Sequence, residues 1–313
     1  NDAGLGNGWF IDDIEVVTSA QALDGDGDGL QDSWEQQIID YDTGDSINTV
    51  DDVNPADDFD GDWVSNQREY ENYTDPTDSV NFTPSGTGAI RGTLNDSGGS
   101  PITTNDIRVQ VITGDPCGGW QQIDDVISSD GNYIVVGLDH NQDYWVRTDN
   151  MWQSNYVNEW YSSSSSSIEC NGAQLVDVPE NGSADNTDFQ LDMGAEVSGT
   201  VYQAGGITPI MDAQIQIVAF RAADPCQSHT WSVGTQTNIS DGTFTLRGVP
   251  VGTASVYLNT SNMNQSNYVN EWWRNVGSTS DCILAELLDV PGGGVSDLSF
   301  QLDLGGSVSG YVT

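Results

Sequence analysis

Gln153-Ser154-Asn155-Tyr156-Val157-Asn158-Glu159-Trp160 recurs letter for letter at 265–272. Other landmarks return around it in the same order. Asp115-Pro116-Cys117 reappears as Asp224-Pro225-Cys226, Asp130-Gly131 as Asp241-Gly242, Asp177-Val178-Pro179 as Asp289-Val290-Pro291, and Phe189-Gln190-Leu191-Asp192 as Phe300-Gln301-Leu302-Asp303. The displacements run from 109 to 112 residues, so a module of about 110 residues, enough to bury its own core, stands twice in tandem.

Within each module apolar residues alternate with polar ones, as in Ile107/Val109/Val111, Ala213/Ile215/Ile217, Ala254/Val256/Leu258 and Phe189/Leu191. Period two with one wet face predicts antiparallel strands. Asp130-Gly131 and Asp241-Gly242 sit between such runs and read as tight hairpin turns, where a positive φ is needed. Short strands separated by Gly- and Asn-rich turns predict a mainly β chain with two antiparallel β-sandwiches, at 84–194 and 195–306.

Cys117, Cys170, Cys226 and Cys282 fall into two pairs at similar intervals, one pair per module. That pattern predicts Cys117–Cys170 and Cys226–Cys282 disulfides and an oxidising compartment. No CxxC pair or nearby histidine favours a metal reading. The module openings Ala89-Ile90-Arg91-Gly92-Thr93-Leu94 and Glu196-Val197-Ser198-Gly199-Thr200-Val201, with the NYVNEW segment and the closing FQLD, resemble carboxypeptidase regulatory-like (prealbumin-like) modules. The resemblance implies a seven-stranded sandwich used as a non-catalytic stalk or surface module.

Ahead of the repeats, oxygen donors occur twice at one spacing: Asp24, Asp26, Asp28, Leu30, Asp32 and Glu35, then Asp58, Asp60, Asp62, Val64, Asn66 and Glu69. A hard cation needs six to eight oxygens, and a twelve-residue loop supplies them from positions 1, 3, 5, 7, 9 and 12. Leu30 and Val64 would give backbone carbonyls, and Glu35 and Glu69 would close the sphere with both carboxylate oxygens. Gly29 occupies the sharp turn at position 6 of the first loop. The second has Trp63 there and a neutral Asn66 at position 9, which predicts a looser or weaker site. Leu30, Trp34 and Ile38 then carry the apolar face of a short exiting helix. Over about Leu23 to Ser79 the text resembles the thrombospondin type 3-like calcium repeats of secreted bacterial proteins, which implies a calcium-ordered spacer over 20–83. Formal charges of −5 and −4 in the two loops predict that folding and Ca2+ binding are linked.

Gly8 to Val17 resembles the last strand of a jelly-roll or MAM-like domain, and Val308 to Thr313 repeats a module opening. Segments 1–19 and 307–313 therefore read as orphan strands. Either the natural chain continues in both directions or they complete sheets in neighbouring molecules.

The chain has 313 residues, a net charge of −41, and seven basic residues, all arginine. Such a surface lacks the basic face that phosphate contact requires, so nucleic acid is no expected partner. No apolar run spans a bilayer. Without lysine, no Lys–Asn isopeptide lock can form. His140 and His229 lie in no catalytic motif, and Glu159 and Glu271, at equivalent positions, read as structural. Aromatics near Tyr156, Trp160, Tyr161 and Tyr268, Trp272, Trp273 read as sandwich core, with a sugar-stacking platform as the alternative. Ser162 to Ser167 reads as a surface loop.

Together these features predict an extracellular or cell-surface, calcium-stabilised modular protein, structural or adhesive rather than enzymatic. Its expected partners are further copies, other surface proteins or glycans, and filament assembly by strand addition is one form. An accessory region of a secreted hydrolase such as a peptidase, or a glycan-binding module, is the alternative.

Overall fold

The computed structural model describes residues 24–306 apart from Asp45, Asn105, Ser129, Trp152, Ser164, Ser165, Ser228, His229, 253–255 and 262–265. The orphan strands expected at 1–19 and 307–313 lie outside the described residues. So do Ala254 and Gln265. The chain divides into two compact units, Asn1–Pro84 and Ser85–Thr313.

In the first unit, helix α1 (Asp32–Tyr41) follows the first acidic loop and α2 (Asn66–Asn72) follows the second. Asp32 and Glu35 fill the first turn of α1, where carboxylates oppose the helix dipole favourably. Ser65 caps α2 by accepting from Arg68 N–H at 3.4 Å, and Tyr73 ends it in the left-handed region at φ 57°. Leu30, Ile38 and Val53 form the small core, flanked by Trp34, Ile39, Ile47, Phe59 and Tyr70. Trp34 meets Tyr70 edge-on at 5.7 Å. The predicted face Leu30/Trp34/Ile38 thus points inward, with Leu30 just ahead of the helix.

The second unit contains both modules. The first comprises β1 (Gly88–Asp96), β2 (Ile107–Thr113), β3 (Gln121–Ser128), β4 (Asn132–Leu138), β5 (Asp143–Asp149), β6 (Leu175–Asp177), β7 (Ser183–Ala184) and β8 (Phe189–Leu191). One sheet runs β4-β1-β7 with β8 also on β1, the other β3-β2-β5-β6. The second module comprises β9 (Ala195–Gln203), β10 (Gln216–Arg221), β11 (Trp231–Gln236), β12 (Thr243–Val249), β13 (Tyr257–Ser261), β14 (Trp272–Trp273), β15 (Ser278–Thr279) and β16 (Val295–Leu302), in sheets β12-β9-β16 and β11-β10-β13-β14-β15. Each module has its own core between its sheets. Ile107, Val109, Val111, Phe189 and Leu191 lie in the first, and Ile215, Ile217, Val256, Leu258 and Phe300 in the second. The mainly β fold follows from the alternation.

Two details differ from the sequence reading. Asp130-Gly131 and Asp241-Gly242 are not hairpin turns: β3 and β4 belong to different sheets, as do β11 and β12. The glycines do take positive φ, 90° and 72°, but a chain crossing between sheets needs that conformation as much as a hairpin does. The pairing is also not wholly antiparallel, because β8 and β7 run parallel to β1, and β16 runs parallel to β9. Glycine in each module opening permits this closure. A Cβ on Gly92 would stand 2.2 Å from Thr187 O, and one on Gly199 2.1 Å from Leu298 O.

The repeated octapeptide is a clamp. Glu159 and Glu271 are buried, and each accepts a backbone N–H through Oε1, from Asp192 at 2.9 Å and Asp303 at 3.0 Å. Thr148 N–H donates to Glu159 O at 2.8 Å, and Thr260 N–H to Glu271 O at 2.9 Å. Each motif thereby ties β5 or β13 to the chain leaving the last strand of its module.

The sandwiches are docked on one another. Trp231 Nε1–H donates to Asn158 O at 3.0 Å, Cys170 N–H to Thr230 O at 3.1 Å, and Arg221 pairs with Glu169 at 2.5 Å. Val157 of the first module packs into the core of the second. Gly248, at φ 68°, approaches so closely that a Cβ would lie 2.3 Å from both Asn150 Nδ2 and Tyr156 O. The Asn150 amide donates across this junction to Arg247 O at 3.2 Å.

Candidate functional site

Both acidic loops fold on themselves by the same bonds. In the first, Asp24 accepts from Gly27 N–H at 2.7 Å through Oδ1 and from Gly29 N–H at 3.2 Å through Oδ2, while Asp28 accepts from Leu30 N–H at 2.9 Å. In the second, Asp58 accepts from Gly61 at 2.8 Å and Trp63 at 2.8 Å, and Asp62 from Val64 at 2.8 Å. Short Asp side chains capping the loop's own N–H groups curl the backbone and turn the carboxylates to one side. Carboxylate oxygens of Asp24, Asp26 and Asp28 fall within 4.8 Å of one another, as do those of Asp58, Asp60 and Asp62. Asp32 faces the start of its loop, accepting from Gly25 N–H at 2.6 Å.

Glu35 and Glu69, at the last position of each loop, are fully buried. Among the described residues neither oxygen of Glu35 has a hydrogen-bond partner, nor has Asp60 Oδ2, Asn66 Oδ1 or Glu69 Oε2. Buried carboxylate oxygens left unpaired are costly. Burial above all, then the neighbouring aspartates, pushes Glu35 up to about 7 and Glu69 up to about 9. Burial and Asp62 push Asp60 up to about 7. The metal-free clusters therefore resist carrying their full charge. A divalent cation reverses both penalties, and an all-oxygen set with one neutral amide and a closing carboxylate fits calcium.

The second loop, expected to be looser, is the more enclosed: Asp62 is 4 % exposed and Asn66 2 %. Trp63 adopts φ 79°, the same region as Gly29 at 103°, a strain of about 1–2 kcal/mol that the loop absorbs. Asn66 spends its Nδ2–H on Asn54 O at 2.9 Å, which turns Oδ1 inward. Two residues of this unit were missed in the sequence, one beside the second loop and one in the turn after α1. Thr74 Oγ1 donates to Glu69 Oε1 at 3.3 Å. Asp42 accepts from Gly44, Ser46 and Ile47 N–H groups, and these bonds hold its carboxyl down at about 2. The Asp-x-Gly spacing was the available signal for the second.

Cys117–Cys170 and Cys226–Cys282 are disulfide-bonded, with Cα–Cα distances of 5.2 and 5.3 Å. Trp160, Tyr268 and Trp273 are buried, and Tyr156 and Tyr161 pack against the first core. Trp160 and Trp272 offer no shared exposed platform, since Trp160 is 5 % exposed and Trp272 is half-buried. No helix of the described residues is long and apolar enough to cross a membrane.

No family model matches the chain, and no curated protein matches it. Among solved structures, a streptococcal ancillary pilin aligns at 11 % identity and TM-score 0.25, covering 71 % of this chain and 64 % of its own. A double mutant of shaft pilin SpaA from Lactobacillus rhamnosus GG aligns at 11 % identity and TM-score 0.24, over 71 % of this chain and all of that one. The pilus backbone protein of Streptococcus pneumoniae aligns at 12 % and 0.18, over 56 % and 54 %. The chain thus spans just under two thirds of the first of these, and likeness at such scores carries no argument about its role.

Proposed function

We propose that this chain is a structural component of a secreted or cell-surface protein, in which a calcium-ordered segment precedes stacked β-sandwiches that extend, adhere or assemble outside the cell. The observation that carries the reading is the pair of fully buried glutamates, Glu35 and Glu69, which close the two acidic loops with three carboxylate oxygens, both of Glu35 and Oε2 of Glu69, that have no hydrogen-bond partner among the described residues. The docked modules and one disulfide in each suit a rod that survives in an oxidising medium. In the filament form of this reading, adjacent copies join by strand addition.

Electron microscopy of the natively purified protein, with calcium and after chelation, tests it. Ordered fibres or extended rods that lose order in chelator support the reading. Particles identical in both conditions, together with no calcium bound by equilibrium dialysis, would overturn it.

A further inference from the structure

A cavity of about 330 Å3 opens inside the second unit where its sandwiches meet, walled by Trp120, Arg147, Asn158 and Trp160 from the first and Trp231 and Ser232 from the second. Arg147 lies between two indoles, its guanidinium carbon 5.6 Å from the ring centroid of Trp120 and 5.3 Å from that of Trp160. Cation–π contact of this kind holds the guanidinium in place without neutralising it.

Five other arginines are committed to carboxylates: Arg91 to Asp185, Arg108 to Asp149, Arg221 to Glu169, Arg247 to Glu196 and Arg274 to Glu286. Arg147 forms no ion pair with any described residue. Its Nε–H donates to Thr148 O at 3.4 Å, and the nearby Asp149 is engaged by Arg108 at 2.6 Å. In a chain with 48 acidic residues and seven basic ones, an unmatched, half-buried guanidinium stands out. Beside it, the Asn158 amide nitrogen has no hydrogen bond to a described residue, since the bonds of Asn158 run through Oδ1 from Asn150 N–H and through its carbonyl from Trp231.

We propose that this cavity binds the carboxylate of an acidic sugar ring, of uronate type. The guanidinium fork takes the carboxylate, the Trp120 indole, 39 % exposed, takes the C–H face, and the Asn158 amide and Ser232 hydroxyl take ring hydroxyls. The volume sits at the lower end of small-molecule sites, roughly 300–1,000 Å3, and admits one ring. The chain's negative surface repels such a ligand at long range, but physiological salt confines that repulsion to about 8 Å. Recognition therefore falls to the local cation.

The test is tryptophan fluorescence and calorimetric titration of the full chain in calcium with glucuronate and galacturonate, against glucose and N-acetylglutamate. Saturable binding of the uronates is expected, weakened about tenfold or more by Arg147→Met and less by Arg147→Lys. Trp120→Ala, a change at a partly exposed position, is expected to weaken it several-fold with the unfolding transition of the chain intact. No saturable uronate binding, equal binding of glucose, or affinity unchanged in Arg147→Met would each overturn the proposal. N-acetylglutamate binding as tightly as the uronates would overturn the sugar assignment.

Discussion

Replacing Glu69 by Gln should change stability in opposite directions with and without calcium. Glu69 is fully buried, and in the metal-free chain burial, then Asp60 and Asp62, raises its pKa from 4.5 to about 9. At about pH 7.5 the folded chain holds this carboxyl protonated while the unfolded chain releases it, a linkage of about 4 kcal/mol against folding. Glutamine removes that cost but buries two amide hydrogens where the protonated acid had one, and their imperfect pairing costs about 1–3 kcal/mol. The net gain of roughly 1–3 kcal/mol corresponds to about 5–15 °C in the melting temperature of a unit this size. In calcium the variant lacks the closing carboxylate. A site filled at about a thousand times its dissociation constant adds about 4.1 kcal/mol, and one weakened about a thousandfold adds only about 0.4 kcal/mol, a loss larger than the gain. Differential scanning calorimetry in chelator and in millimolar calcium reads both effects. Glu69→Gln lowering the melting temperature equally in both conditions would refute the argument, because the carboxylate would then be serving the fold and not a cation.

The pH dependence should invert in the same way. Glu35, Asp60 and Glu69 have raised pKa values in the folded, metal-free chain, so the native state binds more protons and stability in chelator rises as pH falls from about 9 to about 5. In calcium, protons compete with the ion and the same acidification should lower the melting temperature. Gly248→Ala should cost the second unit about 2–4 kcal/mol in urea denaturation, from a left-handed φ plus the clash with Asn150 and Tyr156. Gly137→Ala, at the corresponding position of the first module with φ 78° and open space around it, should cost only about 1 kcal/mol, and equal losses would mean that the junction is not closely packed. Reducing the disulfides, which span 53 and 56 residues, should remove about 4 kcal/mol each by the chain-entropy model, read as a shift of the denaturation midpoint.

The sequence reading reached those features whose signal is local or periodic. Loop spacing marked out Asp24, Asp26 and Asp28, and Asp58, Asp60 and Asp62, whose carboxylates the fold brings together, and alternation picked out Ile107, Val109 and Val111 as core. Contacts between distant segments had no such signal. Gly248 reads as one more turn glycine until Asn150 is placed against it. Trp120, Arg147 and Trp160 come from separate parts of the first module and share no spacing that would single them out. Asp130-Gly131 misled because a positive φ serves a sheet-to-sheet crossing as well as a hairpin. The parallel closure of β1 with β8 was hidden because alternation fixes which face a residue takes but not the direction of its neighbour.

That closure bears on how the modules respond to force. In the second module β9 and β16 lie side by side and parallel over six residue pairs, and in the first β1 pairs in parallel with β7 over two and with β8 over three. Because β9 and β16 are the first and last strands of their module, tension applied at its two ends pulls them along their length in opposite senses. Their slanted hydrogen bonds are then strained together in shear and are not peeled off one at a time. Rupture under such tension is governed by the unfolding rate rather than by equilibrium stability. The parallel closure should therefore make each module resist stretching through its whole ladder at once.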